Sequence, residues 1–165
     1  MSSHSPVSSA ADVGSTALPL LSNGKLSSML DSHGAGFVRW RGLAVTRWRE
    51  DAVTDPWGSF LLLRDEEDGE VWGATTQPLG ETATNRAAGY DAGRLVFGQR
   101  HGDIESSLEI AVAPDADIEL RRLTVTHHGD RTRHLSLTSY AELVLGAIGD
   151  DNAHPAFSKM FVQTE

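Results

Sequence analysis

The chain has 165 residues, of which 23 are acidic and 14 basic, giving a formal charge of −9; 39% of its residues are hydrophobic and none is cysteine. This length suits one domain of ordinary size, and the acidic balance argues against a dedicated nucleic-acid binder, because no basic field exists to displace counterions from phosphates. The longest strictly apolar run, Phe60 to Leu63, is far too short to span a bilayer, and without cysteine there is no disulfide framework, thiol nucleophile or zinc knuckle. The expectation is a soluble, acidic, metal-independent domain in a reducing, cytoplasmic compartment.

Residues Met1 to Ala17 are mostly small or polar, with no basic stretch leading into an apolar one. Such a segment is no secretory signal and buries too little apolar area to offset its ordering entropy, so a disordered tail is expected over 1–17 and a folded domain over 18–165. Turn signals then recur at hairpin-like intervals: Asn23-Gly24, Glu67-Asp68-Gly69, Ala92-Gly93, His101-Gly102, Pro114-Asp115 and Gly129-Asp130. Gly34-Ala35-Gly36 does not complete a dinucleotide fingerprint and reads as a turn with close backbone approach.

Between the turns the apolar residues repeat with a period of two. Ile104, Leu108, Ile110 and Val112 share one face of an extended segment, with Asp103, Glu105, Ser107 and Glu109 on the other. Ile118 and Leu120 continue that phase, but Leu123 and Val125 have the opposite parity, so a bulge or edge twist is expected at Arg121-Arg122. Leu135, Leu137, Ala141, Leu143 and Leu145 alternate again, and Phe157 to Glu165 reads as an apolar strand. A chain that stops inside a pattern suggests a fragment of something larger; a final edge strand is the alternative. No stretch sustains a helical stripe for three turns, so the fold class is all-β, an antiparallel sandwich of two sheets packed face to face.

The densest chemistry lies in Gly34 to Trp57, which holds Trp40, Trp48 and Trp57 beside Arg39, Arg41, Arg47, Arg49, Glu50 and Asp51. Indole faces stack on the C–H face of a sugar, and guanidinium forks or carboxylates bind paired hydroxyls or a phosphate. On a strand Arg47 and Arg49 point to one side and Trp48 to the other, with the reverse arrangement around Trp40. The same residues also suit a core indole beside an interdomain ion-pair network, and alternation leaves both readings open. Glu50, Asp51 and Asp55 could supply the carboxylate pair of a glycosidase, though a solvated acidic turn suits them better. Adjacent His127 and His128 point to opposite faces of a strand and share a metal poorly, and no Gly-x-Ser-x-Gly elbow supports a serine hydrolase. No residue is assigned a catalytic or metal-binding role.

A longer match lies in Leu18-Pro19-Leu20-Leu21-Ser22-Asn23-Gly24-Lys25, Gly36-Phe37-Val38-Arg39-Trp40-Arg41, Leu43 to Asp51, Pro56-Trp57-Gly58-Ser59-Phe60 and Gln77-Pro78, then Leu137 to Glu142 and His154 to Lys159. In these motifs the chain resembles the phosphorylase-like region of the cyclic β-1,2-glucan synthases (glycosyltransferase family 36, glycoside hydrolase family 94), relatives of cellobiose and chitobiose phosphorylases. The resemblance implies a supersandwich of the galactose-mutarotase type, incomplete at its C-terminal end, preceding an (α/α)6 barrel that carries the catalytic acid. It implies inverting phosphorolysis or glycosyl transfer on β-glucans, inorganic phosphate as the co-substrate of the full-length enzymes, no other cofactor, and inner-membrane anchoring of the large synthases. Gly42 and Val38 depart from the family pattern, where Asp and Ser are usual. The expected partners are a β-glucan or gluco-oligosaccharide, the missing barrel, and a second copy of the chain, with no nucleic acid and no membrane contact by this segment. Arg39, Trp40, Arg41, Arg47, Trp48, Arg49, Glu50, Asp51 and Trp57 are the expected ligand-facing or barrel-facing residues.

Overall fold

The computed structural model describes residues 11–12, 19–49, 57–80, 84–160 and 162–163. Among these residues thirteen strands precede two short helices: β1 (Ala11–Asp12), β2 (Leu20–Ser22), β3 (Leu26–Leu30), β4 (Gly36–Trp40), β5 (Leu43–Thr46), β6 (Ser59–Asp65), β7 (Val71–Gly73), β8 (Thr84–Asp91), β9 (Arg94–His101), β10 (Ile104–Val112), β11 (Glu119–His127), β12 (Leu135–Ala141), β13 (Leu143–Gly146), α1 (Ile148–Ala153) and α2 (Pro155–Lys159). They pair antiparallel in the orders β1-β8-β9-β10-β11, β12-β6-β7 and β13-β5-β4-β3-β2. Of the expected tail only Ala11 and Asp12 are described, opposite Tyr90 and Gly89 of β8; the remainder of 1–17 lies outside the described residues.

The all-β expectation holds, with one difference in the layers. Leu95, Phe97, Leu108 and Ile110 of the first sheet pack on Leu21 and Leu30 of the third, and Ile104 packs on Leu63 and Trp72 of the second. One large sheet therefore covers two smaller ones, so the second layer of the sandwich is divided. Burial alternates along β10 as the sequence predicts, with Ser106 filling the inward position between Ile104 and Leu108.

Each hairpin follows from its turn chemistry. Arg41 and Gly42 both have positive φ, 50° and 83°, as do Ala92 and Gly93, 45° and 82°, which is the type I′ geometry matching strand twist. Asn23 does more than turn the chain. Its Oδ1 accepts from the Lys25 and Leu26 amides, while its Nδ2 donates to the carbonyls of Ala113 and Ala116 at 2.9 and 2.8 Å. That side chain ties the β2–β3 turn to the β10–β11 loop across the sandwich. The close approach expected at Gly34-Ala35-Gly36 is present: a Cβ on Gly36 would stand 1.8 Å from the Met29 carbonyl oxygen.

Three sequence expectations are corrected. β11 pairs with β10 in unbroken register from Val112–Glu119 to Ile104–His127, so no bulge occurs at Arg121-Arg122. The parity changes instead because Ile118 and Leu120 are exposed while Glu119, Arg121 and Leu123 turn inward. Second, the run from Leu135 to Leu145 is two strands in different sheets, broken at Glu142, where the chain leaves β6 and joins β5. Third, Phe157 lies in α2 rather than a strand. Pro155 opens that helix, where its fixed φ suits the first turn and its missing N–H costs nothing. Five residues are too few to show a helical period. No helix among the described residues is long and apolar enough to cross a membrane.

Candidate functional site

The β4–β5 hairpin sends its side chains to two opposite faces. On one, Val38 and Trp40 of β4 join Leu26 of β3 and Val45 of β5 as one wall of an open groove of about 510 Å³. Ser59, Asp117, Glu119, Ala141 and Leu143 also line it. The Trp40 indole is 36% exposed, and its Nε1–H donates to Asp117 Oδ2 at 2.6 Å. With its N–H engaged, the ring has its apolar face left to offer. The Arg41 guanidinium sits 5.0 Å from the Trp40 ring centroid, held there by the left-handed turn.

Glu119 is fixed from behind. Arg121 Nε donates to its Oε1 at 2.7 Å, and the same guanidinium donates through Nη1 to the Ser59 carbonyl. Oε2 of Glu119 is buried and has no hydrogen-bond partner among the described residues. The groove therefore has an apolar floor, an aromatic face and an acceptor-rich wall.

The opposite face is filled. Arg39 stacks on Phe37 at 4.0 Å, and Phe37 meets Trp48 edge to face at 5.7 Å. Ala44, Val144 and Ile148 close around them and leave a crevice of about 10 Å³, no larger than one water. Arg47 is 5% exposed and already occupied: Nε donates to Asp151 Oδ2 at 2.9 Å, Nη1 to Glu142 Oε2 at 2.6 Å, and Nη2 to Asp151 Oδ1. Hydrogen bonding to Asp151, with the charges of Asp151 and Glu142, outweighs the cost of burial and raises the Arg47 pKa above its ordinary value. This arginine fastens α1 to the end of β5. Arg49 lies 5.9 Å from the Trp57 ring, with its buried Nε unpartnered among the described residues.

The expected residues thus divide by strand parity. Trp40 and Arg41 stand at the groove, Arg39 and Trp48 behind it, Arg47 in the ion pair, and Arg49 with Trp57 beyond; Glu50 and Asp51 lie outside the described residues, as does Asp55. Trp40 is exposed and Trp48 and Trp57 are half-buried, so none of the three fills the core, a place taken by Trp72, stacked on His101 at 4.5 Å. Sequence reasoning missed Asp117 and Glu119. Their signal is the shared odd parity of Asp117, Glu119, Arg121 and Leu123, hidden behind the louder apolar pair Ile118 and Leu120. Val38 lies in the buried groove floor and Gly42 in the left-handed turn.

Residues 7–165 match the family model described as glycosyl hydrolase 94, supersandwich domain. The chain belongs to that family. The supersandwich chain is 42% identical, over 88% of its length, to cyclic beta-(1,2)-glucan synthase NdvB of Rhizobium meliloti (strain 1021), of which it spans 5%. It is 24% identical to the N,N'-diacetylchitobiose phosphorylases of Vibrio proteolyticus and Vibrio furnissii, over 69% and 73% of its own length and 14% and 15% of theirs.

Proposed function

We propose that this supersandwich chain is the carbohydrate-binding portion of an enzyme that transfers or phosphorolyses glucosyl groups of β-glucans, and is not catalytic alone. The observation that carries this reading is the Trp40 ring, one-third exposed at the mouth of an open groove beside Asp117 and Glu119. An aromatic face with adjacent acceptors suits a pyranose, which presents C–H groups on one side and hydroxyls at its rim. The glucan synthase among the relatives favours β-1,2-linked glucose as the ligand. Inorganic phosphate belongs to the whole enzyme's reaction, and a cytoplasmic location agrees with the absence of cysteine. Titration of the chain with β-1,2-gluco-oligosaccharides should give a saturable change in tryptophan fluorescence that Trp40→Ala removes. A flat response at millimolar sugar would overturn the reading.

A second reading, docking against an (α/α)6 barrel or a second copy, draws on a different observation. Ile118, Leu120, Leu137 and Tyr140 are exposed along or beside β11 and β12, and the chain spans only 5–15% of its relatives' length. Arg39, Trp48, Arg49 and Trp57 would then support the barrel-facing side. Sedimentation velocity separates the two: docking surfaces should drive concentration-dependent association, whereas a clean monomer that binds saccharide speaks for the first.

A further inference from the structure

The turn between β2 and β3 anchors both sides of the groove. Asn23 donates through Nδ2 to the carbonyls of Ala113 and Ala116 at 2.9 and 2.8 Å, in the β10–β11 loop that carries Asp117. Two residues on, the Lys25 carbonyl accepts from the Arg41 amide at 2.8 Å, and Leu26 stands opposite Trp40 in the β3–β4 ladder. Within the loop, the Ile118 amide donates to the Ala116 carbonyl at 2.8 Å and the Ala113 amide to the Ile118 carbonyl at 2.9 Å. The backbone is thus held on either side of Asp117. Asp117 itself is exposed, so its hydrogen bond to the Trp40 indole meets competition from water. Such a contact keeps one geometry only where both partners are held from behind, and the Asn23 turn holds both.

We infer that Asn23 is a positioning residue for saccharide binding: through the β10–β11 loop it places Asp117 against the Trp40 indole N–H and so fixes the ring on which a pyranose lies. The inference rests on the carbohydrate-binding reading and names a residue outside the groove lining on which that binding depends. An indole free to tilt must be ordered when the sugar arrives, and that ordering is subtracted from affinity. One already locked by Asp117 meets the sugar in place. The two ends of the Asn23 amide have separable duties. Oδ1 accepts from the Lys25 and Leu26 amides at 3.0 and 2.8 Å and makes the turn, whereas Nδ2 supplies the tether to the loop. Asn23→Asp keeps the turn acceptor and replaces the donor with an oxygen facing two carbonyls, so it releases the loop while preserving the hairpin.

The test uses the intact, isotope-labelled chain and follows the Trp40 Nε1–H resonance, first without ligand and then during titration with a β-1,2-gluco-oligosaccharide. Asn23→Asp should move the resonance of the free chain toward that of a water-exposed indole and speed its exchange with solvent. The same variant should weaken the saccharide about five- to tenfold, the scale of one lost hydrogen bond. Leu108→Ala, which weakens the fold from the core, should leave both the resonance and the affinity as they are. An unchanged resonance or an unchanged affinity in Asn23→Asp, shown to be folded by a thermal melt, overturns the inference and leaves carbohydrate binding standing. Equal changes in Leu108→Ala overturn it too, since the effect would then be one of general stability. If the unmodified chain binds no saccharide, both readings fall. Should Asn23→Asp not fold, Asn23→Ser, which keeps an acceptor for the turn and cannot donate to two carbonyls, is read in the same way.

Discussion

At Arg47 a single guanidinium joins three stretches of chain: the end of β5, the Glu142 break between β12 and β13, and Asp151 of α1. Because Arg47 and Asp151 are both nearly inaccessible, removing one partner strands the other as a buried charge. Arg47→Met should therefore cost about 3–5 kcal/mol, read as a lower urea midpoint, and Arg47→Met with Asp151→Leu should recover part of that loss. Asp65 gives a pH-dependent counterpart. It accepts from the Glu67 amide at 2.8 Å and from Arg133, and these bonds hold its pKa below the ordinary aspartate value of 3.8. A carboxylate with a depressed folded pKa binds fewer protons folded than unfolded, so its stabilisation is complete above about pH 4 and is lost as pH falls through the folded pKa. Acid unfolding monitored by circular dichroism should accordingly show a shallower pH dependence in Asp65→Asn, with lower stability at neutral pH.

Among the elements, the hairpins were the most legible. Turn pairs such as Asn23-Gly24 and Ala92-Gly93 announce themselves, because few residue types tolerate left-handed backbone. The same physics ranks substitutions. Gly42 and Gly36 differ in surroundings: a Cβ on Gly42 meets nothing within 4 Å, but one on Gly36 would overlap the Met29 carbonyl. Gly42→Ala should cost only the left-handed penalty of roughly 1–2 kcal/mol, and Gly36→Ala substantially more, since the β3–β4 ladder must open to admit the methyl group. Conversely, Ala92→Asn should raise the melting temperature slightly, asparagine being more tolerant of the 45° φ found there. β11 was the least legible strand. Its hydrophobic residues do not all face the core, so reading parity from Ile118 and Leu120 placed the wrong face inward and concealed Glu119. Half of the groove was consequently invisible, whereas Trp40 and Arg41 on the β4–β5 hairpin could be found from composition alone.

Across the whole molecule, stability depends on how the large sheet covers two smaller ones. Leu108, almost wholly inaccessible, lies in the cluster that joins β9 and β10 to β2 and β3, and Leu108→Ala should lower stability by about 2–5 kcal/mol through lost burial and an unfilled cavity. The cost should appear as a single cooperative loss in equilibrium unfolding followed by near- and far-ultraviolet dichroism, because the layers share that cluster. The sequence alone determined the strand content, the turn positions and the family pattern, because each is written in neighbouring residues: alternation over a few positions, glycine where φ must be positive, and motifs in order. Tertiary structure decided which strand joins which sheet and which carboxylate meets which indole. Asp117 and Trp40 are 77 residues apart. No local preference encodes that contact, which arises only when separate sheets bury their apolar faces together.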